Sequence, residues 1–452
     1  MKIKKYIRVL IMGLVTLALS SCAYLPVDKL MKPPKLTNEQ SELYNALERS
    51  VGITSLKLKY PKSGDNRSAF VYNDLDGDGK DEAIAFYQTE NSSTVRINIL
   101  EQEGDGWFSR DDVAGQGTDV DFIDFIDFGF GRKNMVVGWE NRLELLSHVS
   151  VFDYEDREIR EIFSEDYTNK VIDDLDGDGN KELLLLIYGR SYANADAMLI
   201  GRYQDKVDIV SQFHLIDTIS EINKVTLGKT LSGEYGVFID ETIERRFYTT
   251  EAIGVRGDRL VSLMDEKYKD FRPNEDGERL GIFREERSVC RDMDGDGVIE
   301  IPKLSLLKPA GSHGAKGEKL YQTDFYDVLD EELEYHSSYF MNYDLGYAIK
   351  IPERWQGRVT TAVHSETNEL RVLPLGKKTK QVSETAVPLL IVRAISQNDY
   401  RDKLDLDNFK LAGQKGIFEY YYSLPSNTIP GNNEDKLNLT DNELSEIFCI
   451  LS

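Results

Sequence analysis

From about residue 60 onward, short apolar runs separated by polar turns recur along most of the 452-residue chain. Runs such as Ala83–Tyr87 and Leu183–Tyr188 are bounded by Asp/Gly clusters, which is typical of buried strands joined by tight turns. Equivalent turn positions fall at Asp74, Ile126 and Asp174, a spacing of about 50 residues that matches a repeated unit of four strands. The pattern therefore predicts a mainly β fold built from repeats.

Helical spacing of apolar residues marks two short segments. The first follows Thr37, where Gln40 stands three residues on and completes a capping box. The second follows Thr440, with Glu443 as its capping partner. Each segment carries an apolar stripe, formed by Leu43, Leu47 and Val51 in the first and by Leu444, Ile447 and Ile450 in the second.

Changes in composition divide the chain into five predicted segments. A targeting segment is followed by a proline-containing tether, a helical lead-in, the long repeat region and a small C-terminal α+β domain. The chain that remains after the targeting segment is longer than one that usually folds around a single hydrophobic core, so we expect at least two domains. The predicted bounds of the segments are 1–21, 22–36, 37–59, 60–343 and 344–452.

An acidic loop with one pattern occurs three times in the repeat region. Each copy has carboxylates at positions 1, 3, 5 and 9 and a glycine at position 6, and its position-7 carbonyl can add an oxygen. Carboxylates packed this closely repel one another unless a cation lies between them, and Ca²⁺ is a hard cation that takes about 6–8 oxygen ligands. The predicted ligands are Asp74, Asp76, Asp78, Lys80 and Glu82 in the first loop, Asp174, Asp176, Asp178, Asn180 and Glu182 in the second, and Asp292, Asp294, Asp296, Val298 and Glu300 in the third.

Two other interpretations of the acidic loops compete with a calcium-binding hairpin. An EF-hand needs an acidic ligand at position 12, where the loops carry Ala85, Leu185 and Lys303. Strands flank the first two loops, so the pattern indicates β-hairpin turns. Asp-Gly turns without an ion are the remaining alternative, because Asp-Gly is a common hairpin signal. Recurrence of the same acids and glycines in three copies favours calcium, with about three structural ions.

One repeat keeps the glycines of the loop and loses its acids. Gly129 and Gly131 stand where the first acidic loop has its two glycines. We expect a hairpin without metal here, and a second one around the turn 228–236. The former ligand positions carry apolar residues, namely Ile126, Phe128 and Phe130.

The pattern D-x-D-x-D-G-x-x-(D/E) between two strands resembles the FG-GAP or VCBS repeat of integrin-type β-propellers. The resemblance covers residues 60–343 and implies about five or six blades of four antiparallel strands, with calcium held in hairpins on one face of the ring. Glutamate replaces the more usual aspartate at position 9. The segment Ile351–Trp355, which reads Ile-Pro-Glu-x-Trp, is similar to the opening of PsbP-like domains of extracytoplasmic proteins.

The first residues have the pattern of a secretory targeting signal. A basic start is followed by the apolar run Val9–Leu19, which is too short to span a membrane permanently. The run ends in Leu-Ser-Ser-Cys, which resembles the bacterial lipobox and implies lipidation of Cys22. A lipid anchor would hold the protein outside the cytoplasm, on a bacterial membrane or cell surface. An ordinary signal peptide with an accidental cysteine is the alternative.

The charge balance restricts the partners. With 55 Lys and Arg against 79 Asp and Glu, the formal net charge is −24. Such acidity argues against binding of nucleic acid, whose phosphates need a basic surface, and against charge-driven binding to anionic lipids. We therefore expect contact with a membrane only through the N-terminal lipid.

The sequence carries no recognisable catalytic motif. The five histidines are scattered without zinc spacing, and neither a G-x-S-x-G elbow nor a P-loop occurs. Paired carboxylates for glycoside hydrolysis stay open, because a sequence does not show their separation in space. Cys290 and Cys449 are far apart, and a buried free thiol is favoured over a disulfide.

These observations predict a non-enzymatic, lipid-anchored binding or scaffold protein outside the cytoplasm, with a propeller stabilised by structural calcium. Its partner would be a protein or glycan of the cell envelope. The alternative is a glycan-acting hydrolase of the envelope, or its accessory subunit, that uses the propeller as a scaffold. The missing nucleophile and metal-activation motifs favour the binding function.

Overall fold

The computed structural model describes residues 37–52, 56–141, 146–189, 195–216, 219–243, 245, 247–269, 281–284, 288–307, 321–364, 367–376, 382–383, 386–397, 406–428 and 436–451. The predicted targeting segment, Cys22 and the tether lie outside these residues. Within them the protein is mainly β, with 27 strands and two α-helices, which confirms the predicted fold class at that level. No helix in the described ranges is long and apolar enough to cross a membrane.

The first of two compact units contains the chain up to Val120 together with Glu155–Ile159. Helix α1 (Asn38–Val51) begins after Thr37, which forms the predicted capping box with Gln40. The buried face of this helix packs against apolar side chains of one sheet. The sheet contains β1 (Leu56–Lys59), β2 (Phe70–Asn73), β3 (Glu82–Thr89), β4 (Arg96–Glu103) and β5 (Gly106–Ala114). Its order is β1-β3-β4-β5, and β2 also pairs with β3.

Three four-stranded antiparallel sheets follow, and most of their residues belong to the second unit, Asp121–Tyr154 and the chain from Arg160 onward. In each sheet, neighbouring strands are consecutive in sequence. The strands are β6 (Asp119–Ile126), β7 (Asn134–Glu140), β8 (Ser147–Glu155) and β9 (Glu158–Tyr167) in the first, β10 (Asn169–Asp173), β11 (Glu182–Ile187), β12 (Asp196–Tyr203) and β13 (Lys206–His214) in the second, and β14 (Ile219–Lys229), β15 (Tyr235–Ile243), β16 (Phe247–Arg256) and β17 (Arg259–Ser262) in the third. Pairing of β14 with β15 confirms the hairpin expected around residues 228–236.

Strand β11 is buried on both faces, which explains its continuous apolar run. Leu183 and Leu185 pack into a core with the sheet β6–β9, whereas Leu184 and Leu186 pack into a core with the sheet β14–β17. Successive side chains of a strand point to opposite faces, so this one strand contributes to two hydrophobic cores. Each fully buried leucine stabilises the fold by about 1.5–3 kcal/mol.

Two five-stranded sheets complete the described part of the second unit. One contains β18 (Ile301–Leu306), β19 (Tyr321–Leu329), β20 (Glu332–Asn342), β21 (Tyr347–Lys350) and β27 (Phe448–Ile450), in that order. The other contains β22 (Val359–His364), β23 (Glu369–Pro374), β24 (Leu390–Ser396), β25 (Lys410–Lys415) and β26 (Phe418–Ser423), in the order β22-β23-β24-β26-β25. Because β21 and β27 join a sheet that begins before residue 344, that sheet crosses the predicted domain boundary. The division itself stays a prediction.

The C-terminal helix is shorter than predicted. Helix α2 (Asp441–Ile447) begins after Thr440, which forms the predicted capping box with Glu443. Ile450, which we expected on this helix, lies in β27, because that strand pairs with β21. The chain leaves the helix where a sheet edge offers backbone hydrogen-bond partners.

Cys290 and Cys449 are both free thiols, which confirms the prediction for Cys290. Its thiol is fully buried, and its backbone N–H donates to Asp240 Oδ2 at 2.8 Å. Burial raises the pKa of the Cys290 thiol well above its usual value, and the neighbouring Asp240 carboxylate adds to the effect. The residue is therefore a structural part of the core.

Candidate metal-binding loops

The acidic loops lie at the starts of strands. The first connects β2 to β3, where residue Asn73 pairs with Glu82, and the second connects β10 to β11, where Asp173 pairs with Glu182. These two are hairpin turns, as predicted. Before β18 the third loop is closed by a single bridge between residues 291 and 300. Strand β18 contains a proline and lies at the edge of its sheet, where a residue without an N–H donor is tolerated.

Two backbone N–H groups hold the first acid of each loop. In the first loop, Gly77 and Gly79 donate to the two carboxylate oxygens of Asp74 at 2.8 and 3.0 Å. Both glycines have positive φ angles, 79° and 85°, in the left-handed region that favours glycine. The same pair of bonds holds Asp174 and Asp292 in the other loops. All three loops therefore have one shape.

The acids at positions 3 and 5 are fixed by Asx turns, in which each carboxylate accepts the N–H two residues on. In the first loop Asp76 accepts from Asp78 at 3.0 Å, and Asp78 accepts from Lys80 at 2.8 Å. Both bonds recur in the other loops. The position-7 N–H is thus committed within the loop at Lys80, Asn180 and Val298, while metal binding by the carbonyls of these residues stays a prediction.

The glutamate at position 9 reaches back into each loop. One oxygen of Glu82 accepts from the Leu75 N–H at 2.7 Å, and Glu182 and Glu300 make the equivalent bond at the same distance. Glu82 is 3% exposed and Glu300 is fully buried. The second oxygen of Glu300 is buried without a hydrogen-bond partner. A buried carboxylate oxygen without a hydrogen-bond partner can serve as a ligand of a cation.

Burial and crowding make these glutamates weak acids in the metal-free protein. Burial raises the pKa of Glu82 and of Glu182 to about 7, with the aspartates of their own loops adding to the effect. Burial likewise raises the pKa of Glu300 to about 8, and the Asp327 and Asp294 carboxylates contribute. A cation among these groups would offset both the burial of the glutamate and its repulsion by the aspartates, because a cation favours the charged carboxylate.

Each loop brings several acids within reach of one ion. In each group, one carboxylate oxygen from every residue lies within 4.8 Å of the corresponding oxygens of the others. The groups are Asp74, Asp76 and Asp78 in the first loop, Asp174, Asp176 and Glu182 in the second, and Asp292, Asp294, Asp296 and Glu300 in the third. A further group joins Asp76 and Glu82 to Glu101 of β4. The loop motif gave no signal for Glu101, whereas Asp178, which the motif predicted, is outside the second-loop group.

The repeat with apolar residues at the former ligand positions keeps the turn, as predicted. Gly129 and Gly131 have φ angles of 86° and 75°. Asp127 Oδ1 accepts from the N–H groups of Gly129, Phe130 and Gly131 at 2.8, 2.9 and 3.1 Å. Phe128 is buried in the core of this sheet and the next one. The single carboxylate of Asp127 therefore accepts hydrogen bonds from backbone N–H groups of a turn that the acidic loops hold with several carboxylates.

A cleft of about 390 Å³ lies beside the first loop, within the first unit. Acids of the loop form part of its wall, together with Tyr72, Trp107 and Arg157. The rings of Tyr72 and Trp107 meet edge to face at 6.2 Å. The cleft thus combines an aromatic pair with charged groups of both signs.

A pair of buried acids was missed by the sequence analysis. Glu241 of β15 and Glu251 of β16 are 0% and 2% exposed. Glu251 forms an ion pair with Lys269 at 3.0 Å, whereas neither oxygen of Glu241 has a hydrogen-bond partner. Burial raises the pKa of Glu241 far above its usual value, and Glu251 adds to the effect. Nothing in the local alternation of residues distinguishes these acids from exposed ones.

No protein-family model matches the chain, and no curated protein matches it. Solved structures show only a distant likeness. An exotype rhamnogalacturonan lyase, YesX, is 12% identical at a TM-score of 0.26, and the match covers 70% of this chain and 61% of the lyase. A putative 6-phosphogluconolactonase from Bacteroides fragilis is 8% identical at a TM-score of 0.24, with 74% and 94% covered. An exo-β-1,3-galactanase from Phanerochaete chrysosporium is 12% identical at a TM-score of 0.24, with 79% and 82% covered. At these scores the likeness supports no assignment of fold family or activity.

Proposed function

We propose that the three acidic loops bind structural calcium in a lipid-anchored binding or scaffold protein of the bacterial cell envelope. The observation that carries the proposal is the threefold recurrence of one hydrogen-bond network, in which a glutamate, buried in two loops and half-buried in the second, closes a turn of aspartates. Such a network presents oxygens alone, and oxygen is the ligand that Ca²⁺ prefers.

Calcium would act on the folded state. The carboxylates of each group lie within 4.8 Å of one another, and their mutual repulsion opposes folding unless a cation lies among them. An ion that binds only the folded chain stabilises it by mass action, by about 2.7 kcal/mol per site at a concentration one hundred times its Kd. Extracellular calcium is abundant enough to fill weak sites of millimolar affinity, which agrees with an envelope location.

The sheets support a propeller as the scaffold. Successive four-stranded sheets are built from consecutive strands and share cores with their neighbours along the chain. Each of the first two acidic loops joins two paired strands of one sheet, β2 to β3 and β10 to β11. We infer that these sheets are blades of a β-propeller, with the calcium loops at equivalent corners.

The cleft beside the first loop is the proposed binding surface. Aromatic rings such as that of Tyr72, which is 36% exposed, stack on sugars or on apolar side chains, whereas Arg157 and the loop acids can hydrogen-bond to polar groups. A glycan or protein of the envelope fits this chemistry. Attachment through a lipid on Cys22 would keep the cleft at the membrane surface, and no nucleic acid is expected as a partner.

A glycan-acting hydrolase is the second candidate, favoured by one observation. Glu82 lies in the cleft with a pKa raised to about 7, and Glu101 lies beside it. A carboxylic acid with a raised pKa next to a second carboxylate is the pair that glycoside hydrolysis uses. Calcium in the first loop would hold Glu82 ionised, so this role requires a loop without its ion.

Calcium titration of the purified full-length chain tests the proposal. We expect about three equivalents to bind, EDTA to lower the melting temperature and added calcium to restore it. A folded protein that binds no calcium would overturn the assignment. Envelope glycans incubated with the protein, once loaded with calcium and once in EDTA, separate the two candidates, because a binding protein retains the glycans unchanged whereas a hydrolase releases products when the first loop holds no ion.

A further inference from the structure

The third acidic loop differs from the other two in having a histidine among its acids. His336 of β20 places Nε2 3.6 Å from Asp294 Oδ2. This separation is too long for a hydrogen bond, and it suits two ligands of one ion. The Nε2 or Nδ1 nitrogen of His336 and oxygens of Asp294 and Glu300 all lie within 4.8 Å of one another. The corresponding groups at the first two loops contain carboxylates only.

Two buried carboxylate oxygens at this loop have no hydrogen-bond partner. One is Oε1 of Glu300, which is fully buried and lies 4.0 Å from His336 Nδ1. The other is Oδ1 of Asp327 on β19, a residue 7% exposed. Folded proteins satisfy nearly all buried polar atoms, and a bound ion is one explanation of an exception. Two such oxygens beside an imidazole therefore indicate a cation.

Asp327 also sets the orientation of the imidazole. Its Oδ2 lies 3.1 Å from His336 Nδ1 and accepts the ring N–H there. This bond leaves Nε2 as the nitrogen that faces the loop, on the side of Asp294. A carboxylate that holds the far nitrogen of a histidine is the usual support of a metal-binding imidazole, because it fixes the ring and its tautomer.

We propose that the third loop binds a first-row transition-metal dication, such as Zn²⁺ or Mn²⁺, with His336 as a ligand beside Asp294 and Glu300. Imidazole nitrogen is a ligand of these ions, whereas Ca²⁺ takes oxygen. This inference depends on one part of the proposed function, namely that the third loop binds a cation. The transition metal would displace calcium from the third loop while the first two loops keep theirs, so the chain would carry two classes of metal site.

Zinc titration in excess calcium tests this assignment on the purified full-length chain. We expect one Zn²⁺ equivalent to bind, with an affinity that falls at least tenfold in His336→Gln. The matched control is His214→Gln, because His214 also pairs with an aspartate across a sheet, at 3.1 Å from Asp196, but belongs to no acidic group of the three loops. Unchanged zinc affinity in His336→Gln, or an equal loss in the control, would overturn the proposal.

A spectroscopic measurement tests ligation without any substitution. One equivalent of Mn²⁺ added in excess calcium should give an electron spin-echo envelope modulation from a coupled ¹⁴N nucleus, and the modulation should disappear in His336→Gln. Bound Mn²⁺ without nitrogen coupling would refute ligation by His336. Zinc binding that depends on His336 in a protein that binds no calcium would refute the calcium function and leave this inference standing.

Discussion

Leu75 and Glu82 are joined across the first acidic loop by a hydrogen bond of 2.7 Å from the Leu75 N–H to Glu82 Oε2. An equal bond closes the second and third loops. The glutamate stands at the start of a strand or directly before one, so the loop is tied to the sheet before any ion binds. The charge of this residue can therefore be changed separately from the closure of the loop.

Glu182→Gln should remove one calcium equivalent and leave the fold intact. The amide oxygen can still accept from Leu175, but the loop loses one negative charge and we expect its calcium affinity to fall at least tenfold. Calorimetric titration gives the number of sites, and thermal unfolding with calcium and with EDTA gives their effect on stability. Glu221→Gln, on the exposed side of β14, should keep all sites. Equal stoichiometry in both variants would contradict the assignment of the second loop.

Asp127→Ala should destabilise the repeat whose former ligand positions are apolar, whether or not calcium is present. The substitution leaves three backbone N–H groups without their acceptor, and we expect a loss of about 1–3 kcal/mol. Denaturant unfolding in calcium and in EDTA measures this loss. Asp205→Ala, at a fully exposed side chain, should change stability by no more than about 1 kcal/mol. A loss that appears only in calcium would show that this turn binds metal.

Trp355→Phe should destabilise the C-terminal part of the chain. Trp355 is fully buried, and its Nε1–H donates to the carbonyl of Leu437 at 2.6 Å. Phenylalanine removes the donor and leaves space, so we expect a loss of about 1–3 kcal/mol from the buried carbonyl alone. Tyr203→Phe, at a residue that is 54% exposed, is the control. A stability equal to that of the control would exclude an energetic role for the bond.

Local features of this fold could be predicted because their chemistry is local. The capping boxes at Thr37 and Thr440 and the turns at Gly77 and Gly129 each depend on residues within a few positions of one another. Side chains that meet through strand pairing carry no such signal. Glu101 and His336 reach acidic loops from other strands of the same sheets, and Ile450 joins a sheet through a strand about one hundred residues earlier. Their positions depend on the register of the sheets, which the repeat pattern does not specify.

The buried acid Glu241 should make the protein less stable as pH rises. Burial and the neighbouring Glu251 raise the pKa of Glu241 in the folded state above its ordinary value of 4.5. The folded protein then holds a proton that the unfolded chain releases more readily. The contribution of the protonated Glu241 to stability is complete below the pKa that this residue has in the unfolded chain. It is lost as pH rises through the pKa that Glu241 has in the folded protein.

Glu241→Gln should therefore stabilise the protein at neutral pH, because the amide stays neutral where the carboxyl must ionise or retain its proton. We expect a gain in the free energy of unfolding at pH 7, which shrinks towards zero as pH falls below 4.5, the ordinary pKa of the group. Denaturant unfolding at a series of pH values in constant calcium measures the difference. Glu221→Gln supplies the baseline, since it removes one carboxylate from the exposed side of a strand. A gain that stays constant across the pH series would show that ionisation of Glu241 is not its cause, and a loss at every pH would show that Glu241 supports the fold through its carboxylate.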